Sequence, residues 1–137
     1  LPIPFLQAFL SMLLELAARD GIQVTWKGTL GERVDIRIFD LCTIFSNLLL
    51  NAIEACRFVD GTRSIESEVY RYEHSIYIKI RNTIPQKTVI DMVSKKADRK
   101  NHGLGVENVR KAVETYHGTL TYTFEEAYCI AEVLLLE

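Results

Sequence analysis

Between Asp40 and Arg57 (DLCTIFSNLLLNAIEACR) apolar and polar positions separate at the helical period. At roughly 100° per residue, Ile44, Ala55, Leu48, Leu41, Ala52, Phe45, Cys56, Leu49, Cys42 and Ile53 fill one arc of about half a turn. Thr43, Ser46, Asn47, Asn51, Glu54 and Arg57 fill the other, and only Leu50 breaks the partition. The pattern predicts an amphipathic helix capped by Asp40, whose carboxylate would accept from the first free N–H groups. A second helical stripe, Leu6, Phe9, Leu10, Leu13 and Ala17, predicts a core helix from about Phe5 to Arg19, ended by Gly21. That segment carries Gln7, Ser11 and Glu15 and no basic leader, which argues against a signal or membrane segment.

Strand patterns surround the central helix. Ile22, Val24 and Trp26 alternate with polar residues, and Val34, Ile36 and Ile38 alternate again just before the helix. After it, Asp60-Gly61 marks a turn, and strands are expected from about Arg63 to Tyr72 and from Ser75 to Arg81, joined by a hairpin loop at Glu73-His74. From Asn82 to His102 the periodic signal stops. A third helix follows in GLGVENVRKAVETYHG, with Val106, Val109, Val113 and Tyr116 as its buried stripe and Gly118 as the left-handed residue that ends it. A hairpin from Thr119 to Phe124 and Tyr128 to Leu136 closes the chain. Strand pairs separated by single helices imply an α+β fold, a two-layer sandwich with a mixed, largely antiparallel sheet and three helices on one face.

Length and composition fit one domain over residues 1–137. A net charge of −2 gives no case for nucleic-acid binding or membrane-surface contact. Cys42, Cys56 and Cys129 are widely spaced and fall in apolar patterns, so they read as reduced core residues of a cytosolic domain, not a zinc site or disulfide framework. The chain starts at Leu1 without a Met, as a piece cut from something longer would.

Two stretches carry candidate chemistry. Asn is a poor helix former, yet Asn47 and Asn51 sit mid-helix one turn apart, with Glu54 a turn further on the same face. Taken alone this is either a solvated face or a site whose amides offer carbonyl oxygens to a hard cation and N–H groups to anionic oxygens. Mg²⁺ on a nucleotide needs few protein ligands, because phosphates and water fill most of its shell. Gly103 and Gly105 flank the start of the third helix, where glycines let backbone N–H groups approach an anion closely. The segment is neither a dinucleotide fingerprint, since Asn108 stands at the third glycine, nor a P-loop, since no Gly-Lys-Ser/Thr follows. The preceding loop, with KKADRKNH, is either a solvated segment or a binding lid.

Together the two stretches resemble the GHKL (gyrase, Hsp90, histidine kinase, MutL) ATP-binding domain, the Bergerat fold. Asn47-Leu-Leu-Leu-Asn51-Ala-Ile-Glu54-Ala is similar to its N-box and His102-Gly-Leu-Gly-Val-Glu-Asn108 to its second glycine box, in the right order and about fifty residues apart. Within that family the chain looks most like sensor histidine kinases of the peptide-pheromone receptor type (AgrC/ComD-like). The resemblance implies ATP and Mg²⁺ as cofactors, Asn51 as metal ligand, Asn47 as the catalytic contact to the phosphates or transferring group, and Glu54 beside them. It implies that His102, Gly103, Leu104 and Gly105 lie along the triphosphate and that residues 86–101 form the lid. Any of Lys95, Lys96, Arg99 and Lys100 could then reach phosphate oxygens. The partners implied are a dimerisation and phosphoacceptor domain of the same parent and a response regulator downstream, with the fragment a cytoplasmic domain of a membrane-anchored bacterial protein.

Hydrolysing members typically carry Glu where this chain has Asn47. An amide positions but does not abstract a proton, which favours phosphoryl transfer to a side chain. One departure stands out. The family's first glycine box pairs an adenine-reading Asp with Gly-x-Gly, whereas this chain reads Asn82-Thr83-Ile84-Pro85. Asn82 would accept from the adenine amine through its carbonyl oxygen. The rival reading is a degenerate domain of the same fold that binds protein partners and no nucleotide. His74, His102 and His117 each fall outside any long dimerising helix, so the phosphoacceptor is expected elsewhere.

Overall fold

In the computed structural model, residues 2–31, 33–85 and 104–137 are described. The elements run α1 (Pro2–Arg19), β1 (Gln23–Thr29), α2 (Ile38–Cys56), β2 (Ser64–Tyr72), β3 (Ser75–Thr83), α3 (Leu104–Thr115), β4 (Thr119–Glu125) and β5 (Tyr128–Leu136). The five strands form one sheet in the order β1-β2-β3-β5-β4, with β1 parallel to β2 and the other neighbours antiparallel. The three helices among the described residues pack on one face, α2 lying over β3 between α1 and α3.

Register explains the burial. Rows crossing the sheet on the helix side read Gly28–Val69–Ile78–Val133–Leu120, Trp26–Ser67–Ile80–Ala131–Tyr122 and Val24–Ile65–Asn82–Cys129–Phe124. Ile65, Val69, Ile78, Ile80, Ala131 and Val133 of these rows belong to one core cluster with Leu41, Ile44, Phe45, Leu48 and Leu49 of α2, and Val24 and Leu120 pack against it. Eight side chains of α2 are buried, and at about 1.5–3 kcal/mol for each large one this burial far outweighs the roughly 0.7 kcal/mol that a mid-helix Asn costs. This helix is also the one among the described residues long and apolar enough to cross a membrane, and its apolar side is spent on the core. The opposite face of the sheet is polar and aromatic, with Tyr70 stacked on Tyr77 and Glu68 paired with Lys79.

Three local expectations are corrected. The stretch Val34 to Ile38 forms no strand: Ile38 opens α2, while Ile36 is buried from a coil. Its backbone is satisfied by side chains instead of a ladder, since Asp35 N–H donates to the Glu137 carboxylate and the Arg33 carbonyl accepts from Arg71. Asp40 is not the cap of α2. That position is Arg37, which makes no side-chain capping bond, and Asp40 lies in the first turn accepting a 2.5 Å hydrogen bond from Tyr116. The Tyr116 oxygen also accepts from Arg37 N–H, so one phenol ties the start of α2 to the end of α3. Finally, the left-handed residue ending α3 is His117 (φ 51°), not Gly118.

Candidate functional site

The polar face of α2 turns away from the core toward α3 and the edge strand β4. Asn47 is half-buried, and its Nδ2 donates to the Thr43 carbonyl one turn back at 2.7 Å, so the helix itself orients that amide. Asn51, one turn on, is also half-buried and hydrogen-bonds the phenol of Tyr122 on β4. Glu54 is exposed and sits near Arg57, which pairs with Asp20 at 2.7 Å.

Tyr122 marks where the layers meet. Its ring is 37% exposed, but its surroundings shield the hydroxyl end and push the pKa up, while the Asn51 hydrogen bond and the nearby Arg110 of α3 pull the other way. The polar face of α2 and the N-terminal half of α3 therefore approach one another across this phenol. Val109 of α3 is buried in the core one position away. Leu104 and Gly105 form the first turn of α3, so the chain passes from the second glycine motif directly into the helix that borders Asn51.

Asn82 ends β3 on the helix side of the sheet, in the row shared with Cys129 and Phe124. It is 5% exposed, and its Nδ2 donates to the Thr83 carbonyl at 3.1 Å. With the amide N–H turned to its own backbone, the carbonyl oxygen is the end able to meet an exocyclic amine. Beyond it the chain leaves the sheet through Ile84, whose N–H donates to the Ala127 carbonyl. An open cleft of about 640 Å³ lies here, lined among others by Phe58, Asp60, Thr83, Pro85 and Tyr128. Neither Asn47 nor Asn51 lines it.

Lys95, Lys96, Arg99, Lys100, His102 and Gly103 lie outside the described residues. The cysteines carry no disulfide: Cys56 is buried with its thiol pushed up by burial and held by Thr83, and Cys42 and Cys129 are half-buried. Tyr122 was missed by the sequence reading. Its alternation in Thr-Leu-Thr-Tyr-Thr-Phe gives its strand, but nothing local gives its partner on α2.

Residues 36–136, most of the chain, match the family model described as the GHKL domain. The chain belongs to the GHKL family. No curated protein matches it. Among solved structures, this GHKL chain resembles the catalytic domain of histidine kinase ThkA in its nucleotide-free form, at a TM-score of 0.73 and 16% identity over 95% of this chain and 88% of that one. It also resembles the histidine kinase domain of the Erythrobacter litoralis EL346 blue-light activated histidine kinase, at 0.67 and 18% over 92% and 56%. Acinetobacter baumannii histidine kinase AdeS follows at 0.66 and 14% over 96% and 64%. At these identities the likeness is one of fold. The α+β GHKL architecture, with three helices on a five-stranded mixed sheet among the described residues, is therefore the chain's own.

Proposed function

We propose that this GHKL domain is the ATP-binding catalytic domain of a two-component sensor histidine kinase of the peptide-pheromone receptor type. The observation that carries the proposal is the packing of α2, with Asn47 and Asn51 half-buried on its polar face, beside the helix opened by the second glycine motif. A half-buried neutral amide on a rigid helix fits the chemistry of a nucleotide-bound Mg²⁺, whose charge is already balanced by phosphate oxygens. The cation, when bound, would neutralise phosphate charge.

On this reading Asn51 offers its carbonyl oxygen to the cation, and Asn47 orients the transferring end. Backbone N–H groups at Gly103, Leu104 and Gly105 approach the phosphates, and Asn82 accepts from the adenine amine. Such a site positions and neutralises charge, which is what phosphoryl transfer chiefly requires. With Asn at 47 it supplies no general base for water, which favours transfer to a histidine on a separate dimerisation domain of the same parent, with a response regulator downstream. The domain would then work on the cytoplasmic side of a membrane-anchored protein.

Isothermal titration calorimetry with Mg-ATP tests the proposal. Saturable binding is expected, weakened at least ~10-fold by Asn51→Ala. The absence of binding heat up to millimolar nucleotide would overturn it. Asn82-Thr83-Ile84-Pro85, which lacks the glycines of the first glycine box, favours one rival, a domain of this fold that binds protein partners alone. A null titration would support that rival.

A further inference from the structure

Resting on the reading of this face as a nucleotide site, we infer that Tyr116 is the positioning residue that holds the second glycine motif level with Asn51. The phenol ties the start of α2 to the end of α3, donating to the Asp40 carboxylate at 2.5 Å and accepting from Arg37 N–H at 3.1 Å. The two helices pack side by side, so a bond between the start of one and the end of the other makes them antiparallel. Asn51 lies eleven residues up α2 from Asp40, and Gly105 lies eleven residues back along α3 from Tyr116. At about 1.5 Å per residue both are ~16 Å from the shared bond, at the same height. A bond remote from the phosphates thus determines what stands opposite Asn51.

Val109, Ala112 and Val113 of α3 are buried in the core, but apolar contact is non-directional and holds a helix close without fixing its tilt or register. The end of α3 is fastened to β5, since Leu136 N–H donates to the Tyr116 carbonyl at 3.0 Å and Gly118 lies close against the Leu134 carbonyl. A helix fastened at one end can still swing about it. A swing of about 5° over ~16 Å moves Gly105 by about 1.4 Å, more than the roughly 0.5 Å over which an N–H to oxygen hydrogen bond keeps its length. The phenol is a second fastening point, set off from the first by the length of the side chain, and it removes that freedom. Eight buried side chains already hold α2. That helix gains instead a partner for Arg37 N–H, at the end where no side chain caps it.

The test compares Tyr116→Phe with the parent chain. Phe keeps the ring that packs against the core and removes the hydroxyl, so the fold is retained. In the nucleotide-free protein, the backbone amide signal of Gly105, ~16 Å from the lost oxygen, should move in NMR spectra. In calorimetry, Tyr116→Phe should weaken Mg-ATP binding about 3- to 10-fold, and Asp40→Ala should add nothing to it. Asp40→Asn keeps a carbonyl oxygen for the phenol to donate to and should bind like the parent chain. Tyr77→Phe removes an equivalent phenol–carboxylate bond, 2.6 Å to Glu132, from the opposite face of the sheet and should leave the Gly105 signal and the affinity unchanged. An unmoved Gly105 signal, parent-like affinity in Tyr116→Phe, or an equal loss in Tyr77→Phe would each overturn the inference and leave the nucleotide reading standing. A parent chain that binds no Mg-ATP ends the nucleotide reading itself, and this inference with it.

Discussion

Replacing Gly118 distinguishes two physical reasons for a glycine at the end of α3. The helix ends in a paired bond pattern, His117 N–H to the Glu114 carbonyl at 3.0 Å and Gly118 N–H to the Val113 carbonyl at 2.9 Å, with His117 in the left-handed conformation. Gly118 is needed for closeness instead. A Cβ there would overlap the Leu134 carbonyl oxygen and lie 3.0 Å from its carbon and 3.3 Å from Leu135 Cα, all backbone that cannot swing aside. Relief requires moving β5 away from the helix end. That disturbs the Gly118 bond and the 3.0 Å bond from Leu136 N–H to the Tyr116 carbonyl. Two hydrogen bonds at about 1 kcal/mol each, with overpacking of similar size, predict a loss of about 2–4 kcal/mol for Gly118→Ala. At about 2.1 cal/mol/K of unfolding entropy per residue, this is a Tm drop of ~7–14 °C. Urea unfolding with an unchanged m-value is the assay. Asn tolerates a left-handed backbone but has a Cβ, so Gly118→Asn should be as damaging as Ala, whereas His117→Gly should be neutral or gain up to about 1 kcal/mol. A Gly118→Asn variant as stable as the parent, or a loss below about 1 kcal/mol for Ala, would refute the reasoning.

Ser67 lies in the row between Trp26 and Ile80 with its hydroxyl buried and unpartnered, so Ser67→Ala should hold or raise stability by up to about 1 kcal/mol in urea. A loss greater than that would mean the hydroxyl is satisfied. Glu137 has a side chain 1% exposed and takes a two-pronged pair from Arg71 at 2.6 and 2.8 Å, while Arg71 remains partly open to solvent. Discounted for that exposure, Glu137→Gln should cost about 2–3 kcal/mol and loosen residues 33–35, readable as faster amide exchange at Asp35; a cost under about 0.5 kcal/mol would class the pair with surface bridges. Burial, then the hydrogen bond Tyr77 gives Glu132, raise the Tyr77 pKa above the usual tyrosine value. The native state thus holds a proton the unfolded chain releases. The resulting stability is complete below about pH 10 and is lost as pH rises further, so Tyr77→Phe should flatten the alkaline fall of the urea midpoint. An identical alkaline slope in that variant would exclude Tyr77 as its source.

What could be read along the chain was whatever a single element determines. The buried arc of α2, its polar face with Asn47, Asn51 and Glu54, and the alternation in β2, β3 and β5 follow from period alone, and the mixed, largely antiparallel character of the sheet follows from strand pairs joined by tight turns. The misreadings share one cause. Val34 and Ile36 alternate because a coil alternately buries them, and the backbone partners that replace a ladder come from Arg71 and Glu137, far away in sequence. Asp40 has the composition of a cap but is drawn to Tyr116, 76 positions on. Gly118 was assigned a conformational role when its constraint is a carbonyl on β5.

The same division runs through the candidate site. A helix can carry two amides at the right spacing without any help from the rest of the chain, which is why Asn47 and Asn51 are visible in sequence. Which way an amide faces is a different matter, because it depends on what lies across from it. Thr43 lies one turn back on the same helix and orients Asn47 locally, whereas Asn51 hydrogen-bonds a phenol on the edge strand β4, far along the chain. That strand joins the sheet only through the β4–β5 hairpin, which pairs onto β3. A variant that loosens this hairpin without touching α2 should disturb Asn51 and spare Asn47.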